Sequence, residues 1–190
     1  MMRKVVLATM VFLAAGCGRK AESASEAAAG EAIPREVLAL SSAEVKTDLV
    51  EEGVVRLKDG EYMAPAAPGS AEQIIVRLFD KWAMGDVNGD GKPETAAIIG
   101  SSSGGTGVFI SLVAFAADDG TPRELASALL GDRVRVIAVS IDKGLIRVEL
   151  DQHGEVDPMC CPAQRAVREF RMEGDSLTMV SATPPPFITP

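Results

Sequence analysis

From about Val54 onward, apolar and polar residues alternate over short runs broken by turn signals, and no helical period is sustained. Ile146, Val148 and Leu150 alternate with Arg147, Glu149 and Asp151. That pattern puts apolar side chains on one face and charge on the other, as in an antiparallel sheet with one wet side. Two short runs, residues 54–58 and 61–63, flank Asp59-Gly60, a pair that tolerates the positive φ angles of a two-residue hairpin turn. Further strands are expected at residues 73–78, 95–99, 108–116, 124–130, 134–141, 145–151, 166–172 and 176–181, with turns at Asp118-Asp119-Gly120, Asp142-Lys143-Gly144 and Gly174-Asp175. Residues 108–116 are nearly all apolar, so this run is expected in the interior of a sheet. No internal repeat is evident, which argues against a complete propeller. The pattern predicts one mainly-β antiparallel domain over residues 34–183, sandwich-like or a partly closed barrel, with a short ordered lead-in at residues 34–40 and a loose proline-rich tail from Pro184 to Pro190.

The N-terminus reads differently. Met1-Met2-Arg3-Lys4 precedes an apolar run from Val5 to Ala15 and then Gly16-Cys17, the charged, hydrophobic and small-residue order of a secretion signal. The run is too short for a transmembrane helix, which needs roughly 20 apolar residues. Leu13-Ala14-Ala15-Gly16-Cys17 resembles the lipobox of bacterial lipoproteins, although leucine stands four residues before the cysteine where that motif usually has it three before. The resemblance implies that residues 1–16 are removed and that Cys17 is lipidated, tethering the chain to a membrane of the cell envelope without any spanning segment. Residues 17–33 are Ala, Ser, Glu and Gly with almost nothing large and apolar, so they are expected to form a flexible linker.

Charge narrows the partners. Cleavage after Gly16 would remove Arg3 and Lys4 and no acid, leaving 17 of the 19 basic residues against 27 acidic ones, a formal charge of −10. Nucleic-acid binding depends on Lys and Arg neutralising phosphates, so no nucleic-acid partner is expected. Anionic head groups are disfavoured for the same reason. A hydrophobic content of 47% places the chain among globular proteins.

Two constellations could carry chemistry. In Asp86-Val87-Asn88-Gly89-Asp90-Gly91-Lys92-Pro93-Glu94, oxygen side chains fall at loop positions 1, 3, 5 and 9, Gly91 supplies a sharp turn, and Lys92 can offer a backbone carbonyl. Calcium requires six to eight oxygens, and this register supplies a candidate set from Asp86, Asn88, Asp90, Lys92 and Glu94. An EF-hand needs a bidentate Glu at position 12, where Ala97 stands, so this is no EF-hand. It resembles the calcium loop of integrin-type FG-GAP repeats, which uses the same first five positions and runs into a strand. The alternative is an Asp/Asn/Gly-rich turn with no ion.

The second constellation is Asp157-Pro158-Met159-Cys160-Cys161-Pro162, with His153, the only histidine, just before it. If Cys17 is acylated, Cys160 and Cys161 are the remaining cysteines, and in an oxidising envelope they are expected to form a disulfide with each other. Two functional readings stand beside a simple loop clip: a redox switch, since strained disulfides are readily reduced, and a soft-metal site for zinc or copper using His153, Cys160 and Cys161. A closed metal site usually needs four ligands, which favours the clip. Ser101 to Gly107 is glycine-rich but lacks a phosphate-loop ending, so a hairpin loop is expected there. Only His153 could activate a serine, and no Gly-x-Ser-x-Gly elbow is present.

Taken with Val55 to Tyr62, Ala64 to Ser70, and Leu130 to Val134, these two motifs resemble a family of uncharacterised bacterial lipoproteins and secreted proteins over about residues 41–180. That family often has Asp where Glu94 stands. The resemblance implies a folded β domain in the envelope and no reaction. The expectation is a non-enzymatic envelope lipoprotein, structural or binding, with a calcium-stabilised loop and an unknown envelope partner; the alternative is a redox or soft-metal-handling lipoprotein.

Overall fold

A computed structural model describes residues 33–186 except residues 119 and 159; the expected signal segment 1–16, Cys17, the linker to residue 32 and residues 187–190 of the tail lie outside the described residues. The described chain opens with a short helix, α1 (Arg35–Ala39), continued by a 3-10 turn at Leu40–Ser42. Eleven strands follow among the described residues: β1 (Glu44–Lys46), β2 (Val54–Arg56), β3 (Glu61–Pro65), β4 (Gln73–Gly85), β5 (Glu94–Ser102), β6 (Phe109–Asp118), β7 (Thr121–Asp132), β8 (Arg135–Asp142), β9 (Leu145–Gln152), β10 (Gln164–Glu173) and β11 (Ser176–Thr183). They form a five-stranded sheet in the order β3-β4-β5-β6-β7, a four-stranded sheet in the order β11-β10-β9-β8, and a β1-β2 pair, all antiparallel. No barrel closes, and the domain is sandwich-like. Among the described residues no helix is long and apolar enough to cross a membrane.

The five-stranded sheet is covered on both faces. Ala96 and Ile98 of β5 and Ile110, Leu112 and Ala114 of β6 point into a core shared with Ile146, Val148 and Leu150 of β9 and with Phe170 of β10. Ala97 and Ile99 of β5 and Val113 and Phe115 of β6 point the other way, onto Leu40, Val45, Val55 and Leu57. This two-sided burial explains why residues 108–116 read as a continuous apolar run: alternation fails as a signal when both sides of a strand are dry. The lead-in expected at residues 34–40 is thus a lid. Its helix carries Val37 inward and hands Leu40 to the second core.

Asp59 and Gly60 do form the expected two-residue turn, with φ of 53° and 82° and reciprocal bonds between Lys58 and Glu61 at 2.8 and 3.1 Å. The strands on either side, however, do not continue as a hairpin. β2 pairs with β1 and β3 pairs with β4, so the turn is a corner between two sheets. The Leu57 amide donates to the Ala43 carbonyl and the Gly60 amide to Ser41, which draws the incoming arm back to the lead-in. The outer face of β9 also departs from simple alternation: Asp151, expected on the wet side, is buried.

The two large sheets meet closely where β4 ends. A Cβ built on Gly85 would lie 2.6 Å from Cγ2 of Ile141 on β8, so only a glycine fits this approach. Gly85→Ala is therefore expected to cost about 1 to 3 kcal/mol of unfolding free energy as the sheets are forced apart. In an Ile141→Ala background the cost should largely vanish, because the obstructing branch is gone. Urea unfolding of the four proteins measures this; additive effects would refute the contact.

Candidate functional site

The β4–β5 connection, residues 86–93, folds around its own carboxylates and that of Glu94, the first residue of β5. The Asp86 carboxylate accepts from the amides of Gly89 (2.6 Å) and Gly91 (3.0 Å), and Asn88 Oδ1 accepts from the Asp90 amide (2.8 Å). Asp90 Oδ1 accepts from the Lys92 amide at 2.8 Å. Side chains of this kind compete for backbone donors and so stabilise tight loops. Gly89 and Gly91 take φ of 81° and 84°, a region that penalises a Cβ, which accounts for glycine at both. Val87 sits in the core between the sheets, and the Asp86 carbonyl lies beside Gly144 of the β8–β9 turn. The loop is thus seated at the corner where the two sheets approach.

Glu94 is the buried member of this set, 2% exposed. Its Oε2 accepts from the Val87 amide (2.9 Å), and its Oε1 accepts from Asn88 Nδ2 (3.0 Å), which also donates to Asp90 Oδ2 (3.2 Å). The amide of Asn88 therefore bridges two carboxylates. Among the described residues, no three His, Cys, Asp or Glu side chains gather in a geometry that could hold a metal. Asp86, Asn88, Asp90 and Glu94 stand along one short segment, with the Asn88 amide, a hydrogen-bond donor, between Asp90 and Glu94.

In the second constellation, Asp157 ties the loop together by accepting from the amides of Gly154 and Ala163, both at 2.9 Å. These two backbone bonds hold its carboxyl below the ordinary carboxylate range. The exposed Cys160 and Cys161 sulfurs lie 2.30 Å apart, at disulfide distance. His153 does not join them in a metal cluster. Its two ring nitrogens are buried without a hydrogen-bond partner.

Of three residues that the sequence pattern did not single out, Asp132 and Arg168 line the same cleft as His153, and Asp151 stands two residues before it in sequence. Asp151 is sandwiched across three strands, its register partners being Arg135 on β8 and Arg165 on β10. Arg135 bonds Asp151 Oδ2, and Arg165 bonds Oδ1 at 2.7 Å. The Arg135 bond, followed by burial acting the other way and then by Arg165, leaves the Asp151 carboxyl below its usual range. Burial acts against ionisation of Asp132 as well, but Arg133 (2.6 Å) and the Val108 amide (2.8 Å) outweigh it. Arg168 is buried on β10, where Ala166 and Phe170 share its inward register. That placement carries a readable signal: an arginine two residues from an alanine and a phenylalanine, all on the inward face of one strand.

Against family models, curated proteins and solved structures, the chain shows no match.

Asp151 is expected to report on acid stability. Its folded pKa lies below that of the unfolded chain, about 3.9, so its contribution is fully present above that pH and is lost as pH falls through the folded value. Asp151→Asn should cost about 1 to 2 kcal/mol at pH 7, a figure discounted because both guanidinium groups remain largely exposed. Well below pH 4 the difference from the unaltered protein should shrink. Denaturant melts at pH 7 and pH 3 decide it; a difference that persists undiminished at pH 3 would contradict the pairing.

Proposed function

We propose that this chain is a cell-envelope lipoprotein: a β-sandwich carried on a lipid at Cys17 and acting there as a non-enzymatic structural or binding module, with loop 86–94 stabilised by calcium. The observation that carries the location is the order Met1-Met2-Arg3-Lys4, apolar run, Gly16-Cys17. Its resemblance to the lipobox, and that of the wider motif set to envelope proteins, supports the same reading. The non-enzymatic part rests on the sequence, in which His153 is the single histidine and no Gly-x-Ser-x-Gly elbow accompanies it. Intact-mass analysis of envelope-purified protein is expected to give a chain beginning at Cys17 with added acyl mass, and Cys17→Ser should block that processing. A chain beginning elsewhere and bearing no lipid would overturn the location.

Calcium suits the loop for an electrostatic reason. Three carboxylates within nine residues repel one another, and a divalent cation neutralises them where the Asn88 amide can contribute only partial charge. Binding would require Asn88 to turn its oxygen, now spent on the Asp90 amide, toward the ion. Asp86, Asp90, Glu94 and the Lys92 carbonyl would complete the oxygen set. Because the loop lies at the corner of the two sheets, the ion would brace one against the other. For a Kd of about 0.1 mM, typical of extracellular modules, about 1 mM calcium adds roughly 1.4 kcal/mol, or about 3 to 6 °C in Tm. Asp86→Asn combined with Asp90→Asn should abolish that shift. Identical melts in calcium and in chelator for the unaltered protein would reduce the motif to a turn.

A second reading, a redox or soft-metal-handling lipoprotein built on His153, Cys160 and Cys161, is supported by the exposure of the adjacent Cys160 and Cys161. Thiol labelling separates it from the clip. Both cysteines are expected to be inert to label in the unreduced protein and both reactive after reduction; full labelling without reductant would rule out the disulfide, and zinc or copper recovered at one per chain would support the metal form.

A further inference from the structure

β7, the outer strand of the five-stranded sheet, and β11, the outer strand of the four-stranded one, approach each other along one side of the sandwich. A cleft of about 510 Å³ lies there, within the range that takes small-molecule ligands. Leu129, Leu130, Val134, Phe170, Leu177 and Met179 make its walls largely apolar. Leu129 and Met179 are 63% and 44% exposed, a cost in water that an apolar ligand would relieve.

A cation stands in this apolar wall. Arg168 is 4% exposed, and it lines the cleft beside His153 and Gln152. Its Nη1 donates to the carbonyl of Leu130, the residue that the β6–β7 ladder skips at a bulge, and its Nη2 donates to Gln152 Oε1 at 2.8 Å. Gln152 is itself fixed, since its Nε2 donates to Gln164 Oε1 (2.8 Å) and the Pro185 carbonyl (3.0 Å), which also ties down the start of the tail expected to be loose. Both acceptors of Arg168 are neutral, and its Nε is buried with no partner at all. Of the nearby carboxylates, Asp132 pairs with Arg133 and Asp151 with Arg135 and Arg165, while Asp132 and Asp157 also lie within electrostatic reach of His153. An unpaired buried charge is strongly unfavourable, and desolvation accordingly lowers the Arg168 pKa. His153 adds two further buried nitrogens without partners, one of which donates in the neutral ring and both in the charged one. These donors without acceptors lie just behind the cleft surface, closed off from solvent, with apolar walls beside them, and together they define the complementary ligand.

We propose that this cleft binds a small carboxylate with an aliphatic tail: the Arg168 and His153 side chains turn toward the cleft so that their nitrogens, now closed off from solvent, donate to the carboxylate, and the tail lies against Leu129, Phe170 and Met179. The volume suits one acyl chain of medium length and excludes a whole diacyl lipid. This deepens the binding-module reading by naming a ligand class. The two fail separately, since the lipid on Cys17 is decided by mass alone and the cleft by titration.

The test is calorimetric titration of the mature chain in phospholipid nanodiscs, with protein-free nanodiscs subtracted, using octanoate, octanol and acetate as probes. Octanoate is expected to bind at one per chain and at least tenfold more tightly than octanol, which lacks the charge, or acetate, which lacks the tail. Arg168→Met, close in volume and free of charge, should weaken octanoate at least tenfold while leaving octanol nearly unchanged. Leu129→Glu, at the exposed rim and so without risk to folding, should also weaken octanoate at least tenfold. No saturable octanoate binding at millimolar concentration, equal affinity for octanol, or undiminished octanoate binding by both variants would each overturn the proposal.

Discussion

Strands β5 and β6 present apolar side chains to both faces of the five-stranded sheet, and neither face can meet water without exposing residues that are now almost fully buried. Everything around them is arranged as cover. On one side the four-stranded sheet supplies Ile146, Val148, Leu150 and Phe170; on the other the lead-in helix and the β1-β2 pair supply Leu40, Val45, Val55 and Leu57. The second cover is slight, so its attachments matter. The Lys46 amide bonds the Glu124 carboxylate on β7 at 2.8 Å, a group whose pKa burial raises against that same bond. Covers of this size leave edges: the cleft between β7 and β11, and the corner at loop 86–94.

Period-two alternation located most strands because one face of the four-stranded sheet is wet, as in β9, where apolar Ile146, Val148 and Leu150 face the core. It said less where both faces are dry or where a strand is only three residues long. β1 escaped notice for the second reason. The Asp59-Gly60 turn was legible down to its φ angles, since that chemistry is local. That its flanking strands go to different sheets was not, because pairing is decided by which partner buries Val55 and Leu57, and that partner is the distant lead-in.

The candidate sites divide in the same way. Loop 86–94 is contiguous in sequence, so the register of its oxygens could be read directly, and Cys160 and Cys161 are neighbours whose pairing needs no fold. Asp151 looked like one more exterior charge until β8 and β10 placed an arginine on each side of it. Arg168 owes its isolation to a bulge at Leu130, thirty-eight residues away, and to the commitment of Asp132 and Asp151 to other arginines. Those are long-range facts. A polar residue at an inward register remains the local trace by which such a site can be suspected.

The central claim is that a rigid sheet buried on both faces carries a ligand-responsive corner, and amide hydrogen exchange of the full chain with and without calcium tests it most directly. Ala96 to Ile99 and Ile110 to Phe115 are expected to exchange slowest, through global unfolding, while added calcium raises protection locally over residues 85–94 and at the 142–144 turn. Exchange in β5 and β6 as fast as in β11, with the 85–94 segment indifferent to calcium, would contradict the account.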